Sequence, residues 1–316
     1  MKDTHVRLGK TIQRRTGRTF HLATRVLPER VRHPTYVLYA FFRICDEVVD
    51  DPGDASPAEQ TARLDELRAQ ALGHVDADDT VLAAFQDLRE RHGIADEEVN
   101  VFVDAMQSDV EKDRYGNYAE LEAYMDGSAA AVGRMMTTVM ATEQAGQALP
   151  HATALGEAFQ LTNFLRDVRE DVQDRDRVYL PATTLERHGV THADVAALDF
   201  SEGFAAAMRD ELGRAEALYR EGVAGIQYLP ADCQFAVLLA AVLYADYHRL
   251  IRRQDYDVLT AGPSLGRVRK LSLLARTRWH WWRTRDPETV FRRVSCIGEA
   301  DERQTDASPH DTLPAR

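Results

Sequence analysis

The sequence predicts an all-α protein of one domain. Three observations predict it. Apolar residues recur at spacings of three and four along most of the chain, the signature of a buried helix face. Alternating runs closed by Asn-Gly or Asp-Gly turns are nearly absent, so strands are not expected. Pro and Gly fall between the periodic stretches rather than at regular intervals within a repeat. A chain of 316 residues allows two average domains or one large helical one, and no internal boundary stands out. The domain is expected over 1–297, with a polar, disordered tail over 298–316.

Taken in order, Pro28 and Pro34 are expected to bracket a short turn. Residues 36–49 then read as an apolar helix stopped by Asp51-Pro52-Gly53. Ser56 before Pro57 is a helix N-cap followed by a pre-set first turn. Helical stretches follow at 57–72, 78–92, 96–112 and 117–141. The polar segment 143–151, EQAGQALPH, reads as a loop. A second apolar helix covers 152–173, and further helices are expected at 201–227, 230–254 and 266–283.

Composition excludes several classes. With 44% hydrophobic and 28% charged residues the chain is neither disordered nor collagen-like. No apolar run is long enough to cross a membrane. The opening residues lack the apolar centre of a secretory signal, so a cytoplasmic location is expected. Cys45, Cys233 and Cys296 are too few and scattered for a disulfide framework or a zinc site. A net charge of -12 argues against nucleic acid as a partner. The charge is uneven, however: residues 267–293 carry nine Arg or Lys against two acids.

Two helices carry the chemistry. In the first, Asp46 and Asp50 stand four apart on one face, and Tyr39 and Arg43 continue that face. Like charges at this spacing repel, and these sit among Phe41, Phe42, Ile44, Val48 and Val49. The pair must either face solvent or neutralise itself on a cation. In the second, Gln160, Asn163, Asp167 and Asp171, spaced three, four and four, form one polar stripe in apolar surroundings, with Arg166 beside it. Hard oxygen donors of this kind suit Mg²⁺, which keeps water and phosphate oxygens in its shell. Two such stripes facing each other would hold two or three Mg²⁺ ions gripping a diphosphate, with Arg43 and Arg166 on its oxygens. The alternative is that each stripe is a solvated helix face.

Three segments resemble the squalene/phytoene synthase family of head-to-head prenyltransferases, most closely its prokaryotic phytoene-forming members. They are TGRTFHLATRVLPERVRHPTYVLYAFFRICDEVVDD (16–51), YMDGSAAAVGRM (124–135) and GEAFQLTNFLRDVREDVQDRDRVYLP (156–181). The likeness extends over roughly 10–285. It implies an isoprenoid synthase-type helical bundle around a central cavity. It further implies that two prenyl diphosphates are joined head-to-head through a cyclopropyl diphosphate. The implied roles follow the motifs. Asp46, Asp50, Asn163, Asp167 and Asp171 hold Mg²⁺, for which Mn²⁺ can stand in. Thr16, Gly17, Arg18 and Thr19 form an N-terminal diphosphate loop. Tyr39, Arg43, Gln160 and Arg166 contact diphosphate or the reacting carbons, and Tyr244 stands near the diphosphate. Arg267, Arg269 and Lys270 form a basic segment that helps cover the phosphates. Asp126 departs from the family pattern, as an extra polar group or a helix cap near Gly127.

The expected reaction makes phytoene from two geranylgeranyl diphosphates, without NADPH. Squalene, dehydrosqualene or presqualene diphosphate synthesis from farnesyl diphosphate is the alternative. A non-catalytic assembly factor and a type I terpene cyclase are the others, against which the intact acids and the NFLRDVRED motif speak. An allylic cation needs an apolar, aromatic-lined cavity. Phe20, Phe41, Phe42, Phe159 and Phe164 are candidates for its wall, or for ordinary core. Gly127, Ala129, Ala130, Ala131 and Gly133 either leave room for a prenyl chain or let helices approach closely. His188, His192 and His248 lack metal spacing, and Cys45 reads as a small buried residue. The WHWW run at 279–282 with flanking Arg is either a membrane-surface contact or a partly buried terminal helix. A lipid product makes transient membrane contact and hand-over to carotenoid-pathway enzymes the expected partnerships.

Overall fold

A computed structural model describes residues 22–298. Among these, all regular structure is helical apart from a single bridge between Arg114 and Val178. The elements are α1 (Glu29–Asp50), α2 (Pro57–Ala71), α3 (Thr80–His92), α4 (Asp96–Glu111), α5 (Tyr118–Met125), a π-helical turn (Asp126–Ala130) and α6 (Ala131–Met140). They continue with α7 (Ala145–Arg175), α8 (Ala182–Arg187), α9 (His192–Ala196), α10 (Glu202–Ala224), a 3₁₀ turn (Gly225–Tyr228), α11 (Ala231–Arg253), α12 (Arg267–Thr284) and α13 (Pro287–Val294).

Helix starts and stops follow local chemistry. Ser56 and Glu59 form a reciprocal capping box at α2. Asp79 caps α3, which ends at Gly93 in the left-handed conformation. Ser201 caps α10.

Two expectations are corrected. Pro34 lies inside α1 rather than at a turn, and Pro150 lies inside α7, so that 145–151 is helix rather than loop. Each proline is the sixth residue of its helix. The sixth residue lies just past the four N–H groups that have no intrahelical partner, so each proline costs one i→i−4 bond, as it would deeper in the helix. Tertiary packing tolerates that: Pro34 is buried, as are Val31 and Thr35 beside it. The short helices α8, α9 and α13 went unforeseen, being under nine residues and without a repeated apolar period.

Two hydrophobic clusters share α7 as their common wall. The larger lies mainly among α1–α6, where Phe41 stacks on Phe85 at 4.0 Å and both rings are buried. The other joins α10–α13 around Tyr219, Phe235, Trp281 and Phe291. Within it a buried polar chain is fully paired: Thr162 Oγ1 meets Tyr219 Oη at 3.0 Å and His248 Nε2 at 2.9 Å, and Glu216 accepts from Arg252. His248 is therefore a packing residue. His188 pairs with Asp210, and His192 donates to the Leu180 carbonyl.

Glycines permit the close approach on which the cavity depends. A Cβ at Gly156 of α7 would stand 2.6 Å from the Ala129 carbonyl oxygen, and one at Gly127 would stand 2.5 Å from that of Val101. Both alternatives for the small-residue segment hold. Gly127, Ala130 and Ala131 are buried in helix contacts, while Ala129 and Gly133 face a cavity. Asp126 is a packing acid: it accepts from Arg134 Nη1 at 2.7 Å, and Arg134 Nε is held 2.9 Å from both oxygens of Glu98 on α4.

Candidate active site

A cavity of about 420 Å³ runs between α1, the π-turn and α6 on one side and α7 and α11 on the other. Its deep part is apolar: Phe42, Val132, Met136, Leu155, Phe159 and Ile226 contribute to it. Thr24, Ser128, Thr137 and His151 add polar groups, and so do six more: Tyr39, Asp46, Gln160, Asn163, Arg166 and Tyr244. These six are all residues singled out from the sequence, drawn from three helices far apart in the chain. Of the candidate aromatics, Phe42 and Phe159 line the cavity. Phe41 is core, Phe164 stacks on Tyr179 at 3.9 Å away from it, and Phe20 lies outside the described residues.

The two acidic rows are tied together. Arg175, in the last turn of α7, donates to Asp50 Oδ1 and to Asp171 Oδ1, both at 3.3 Å. Arg177 adds a contact at 3.5 Å to Asp50 and one at 3.8 Å to Asp109 of α4. Asp167 is gripped by Arg166 in a fork-like pair, and the Arg166 guanidinium lies 4.8 Å over the Tyr247 ring. Arg43 pairs with Glu47 at 3.2 Å and stays near enough to favour ionisation of Asp46. Crowding of acids shows in the proton affinities. Burial, and then the Asp50 charge, pushes the Asp46 carboxyl up to about 7. Burial and then Asp167 push Asp171 up to about 7. Burial also holds the Tyr244 hydroxyl up at about 12, so it is a neutral donor at working pH.

The donor set fits a hard divalent cation. The ligating candidates offer only oxygen, and Asn163 Oδ1 is buried without a hydrogen-bond partner. Among the described residues no three His, Cys, Asp or Glu side chains are arranged to cage an ion by themselves. A cation here would take one or two protein oxygens and draw the rest from water or phosphate, as Mg²⁺ commonly does.

Other residues fall elsewhere. Thr16, Gly17, Arg18 and Thr19 lie outside the described residues. Arg267 opens α12 and is exposed, and neither it nor Lys270 is among the cavity-lining side chains. Arg269 is committed to Asp246, 2.6 Å away, beside Arg249. Cys45 is buried behind Asp46 and its thiol is pushed far up by burial. Sequence reasoning missed Arg175, Arg177, Asp109 and Tyr124, whose hydroxyl donates to Asp109. Burial raises the Asp109 carboxyl to about 6 against the opposing Arg177 charge. Arg175 had a legible signal, standing four residues after Asp171; Asp109 had none.

A helical bundle with a largely apolar cavity, and two arginine-linked acidic rows on the helices that wall it, is the arrangement expected of an isoprenoid synthase-type protein, and comparison narrows the class. The family profile described as squalene/phytoene synthase matches residues 13–283. The chain is 32% identical to a phytoene synthase of Rhodobacter capsulatus over 83% of its own length and 78% of that protein. It is 35% identical to a phytoene synthase of Thermus thermophilus, over 76% and 81% of the two chains. Its fold superposes on a dehydrosqualene synthase crystallised with a ligand at a TM-score of 0.79 and 26% identity, covering 89% of this chain and 97% of that one. The chain belongs to the squalene/phytoene synthase family. It is a prenyltransferase-type enzyme, phytoene synthase-like over most of its length.

Proposed function

We propose that the protein is a phytoene synthase. It would condense two geranylgeranyl diphosphates head-to-head, through a cyclopropyl diphosphate, to phytoene and diphosphate, with Mg²⁺. The observation that carries this reading is the apposition of Asp46 and Asp50 on α1 with Asn163, Asp167 and Asp171 on α7, beside an apolar cavity.

Bound Mg²⁺ would neutralise the charge that builds on a departing diphosphate. Asp46, Asp50, Asn163, Asp167 and Asp171 are the side chains that would hold it. The chain's own groups do the rest. Arg166 and Arg43 donate to diphosphate oxygens and orient the leaving group. Tyr244, protonated, donates a hydrogen bond at the same place, next to Tyr39 and Gln160. Phe42 and Phe159 line the cavity, where aromatic rings would attract an allylic cation and keep water from quenching it. Ala129, Gly133 and Gly156 keep the wall thin enough for long prenyl tails. Arg267 and Lys270 would cover the phosphates from outside the cavity, and the family resemblance gives Thr16, Gly17, Arg18 and Thr19 a part in binding the same group.

A second reading is dehydrosqualene or squalene synthesis from farnesyl diphosphate, favoured by the likeness to the dehydrosqualene synthase fold. Purified protein incubated with Mg²⁺ and each prenyl diphosphate, with and without NADPH, separates the two by product chromatography. Phytoene from the longer substrate alone, without NADPH, is the expected result. Dehydrosqualene, or NADPH-dependent squalene, from the shorter one would replace the reading, and no turnover with either would remove both. Among the described residues no helix is long and apolar enough to cross a membrane. In the cytoplasm such an enzyme would pass its lipid product to later carotenoid-pathway enzymes through transient contact with a membrane surface.

A further inference from the structure

Helix α12 has two apolar faces, and only one is used by the fold. Leu273, Thr277 and Trp281 face inward and are buried, with Trp281 against Phe235 of α11. On the other side Val268, Leu271, Trp279 and Trp282 are 83%, 61%, 56% and 70% exposed. Of the six large hydrophobic side chains exposed among the described residues, these are four. At 3.6 residues per turn they fall within an arc of about 80°, opposite the buried face. The same wheel sets Arg267 and Arg278 along one edge of the arc and Arg276 and Arg283 along the other. All four arginines are exposed. Arg283 lies 5.7 Å over the Trp279 ring, whose centroid is 6.0 Å from that of Trp282.

We propose that this outward face of α12 docks the enzyme on an anionic lipid bilayer. An apolar arc bordered by cations is what an in-plane interfacial helix presents, with Trp at the headgroup level and Arg on the phosphates. Charge selects this occupant. The segment 267–293 holds nine basic residues and two acids in a chain of net charge -12, so the basic face is local and turns toward negative surfaces. A second copy of the chain fits poorly, because a two-fold contact would set these arginines against their own mates. The docking gives a surface to the membrane contact proposed above and does not depend on which prenyl diphosphate the cavity takes: no cavity-lining residue belongs to it, and Arg267 is its one side chain also assigned to the phosphates. It would bring the site to the lipid phase where a long-chain product dissolves.

Co-sedimentation with phosphatidylcholine vesicles, with and without phosphatidylglycerol, tests it on the full chain. The wild type is expected to sediment with the phosphatidylglycerol vesicles and to be released by salt, and its Trp emission should shift to the blue on binding. Trp279→Ser with Trp282→Ser should weaken binding about tenfold or more while leaving circular dichroism and thermal midpoint unchanged. Arg276→Gln with Arg283→Gln should erase about tenfold of the preference for the anionic vesicles. Absence of wild-type binding, equal binding to neutral vesicles, or full binding by the Trp double variant would overturn the proposal. So would a wild-type dimer, seen by light scattering, that the Trp double variant breaks into monomers.

Discussion

Arg175 reaches Asp50 of α1 with Nε and Asp171 of its own helix with Nη1, both at 3.3 Å. One guanidinium thus stands between the two acidic rows, where a cation is required to keep them together.

Arg175→Gln should therefore destabilise the metal-free protein by about 1–3 kcal/mol, since carboxylates on both helices lose their counter-charge. Added Mg²⁺ should raise the thermal midpoint more in this variant than in the wild type. An equal Mg²⁺ response in both would show that Arg175 and the ion do not share a place.

Asp50→Ala and Asp167→Ala should each lower turnover about a thousandfold or more, with helical circular dichroism retained. Asp50 is exposed and Asp167 half-buried against Arg166, and neither belongs to the hydrophobic core. Near-normal activity in both variants would refute the metal assignment.

Asp46 and Asp171 have folded-state proton affinities near 7, well above those of carboxyls in an unfolded chain. The folded protein therefore binds more protons than the unfolded one between about pH 4 and 7. Their contribution is whole below pH 4 and is lost as pH rises through 7. In Asp46→Asn the fall in thermal midpoint over that window should be shallower than in the metal-free wild type. Mg²⁺, which competes with protons for the same oxygens, should bind more tightly as pH rises. A pH-independent Mg²⁺ affinity across the window would contradict the shared site.

Gly156→Ala should cost about 1–3 kcal/mol, because its methyl group would meet the Ala129 carbonyl at 2.6 Å and push α7 off the π-turn. A thermal melt unchanged from wild type would mean that the two backbones can part without loss.

Much of the site was legible because its parts repeat along single helices. Asp46 and Asp50, or Asn163, Asp167 and Asp171, announce a shared face through spacings of three and four, and apolar neighbours announce that the face turns inward. What sequence could not give was contact between distant elements. Asp109 looks like one more acid on α4 until α7 folds across it and brings Arg177 within 3.8 Å. Asp126 looks anomalous until Arg134 links it to Glu98, 28 positions earlier. Pro34 and Pro150 misled for the opposite reason: their local rule is sound, since each costs a backbone hydrogen bond, but the packing of the whole helix decided the outcome.

The π-turn at Asp126–Ala130 fixes the phase of everything after it. It holds one residue more than an α-helical turn would, so it acts as an inserted letter that shifts the reading frame of the α6 surface. Wound at ordinary pitch with all five residues kept, the same stretch would rotate Val132, Met136 and Met140 by about 100° about the helix axis. The shape of the tunnel wall is thus inherited through the winding of one loosened turn, and a chain with every wall residue intact but that turn tightened would have lost its tunnel.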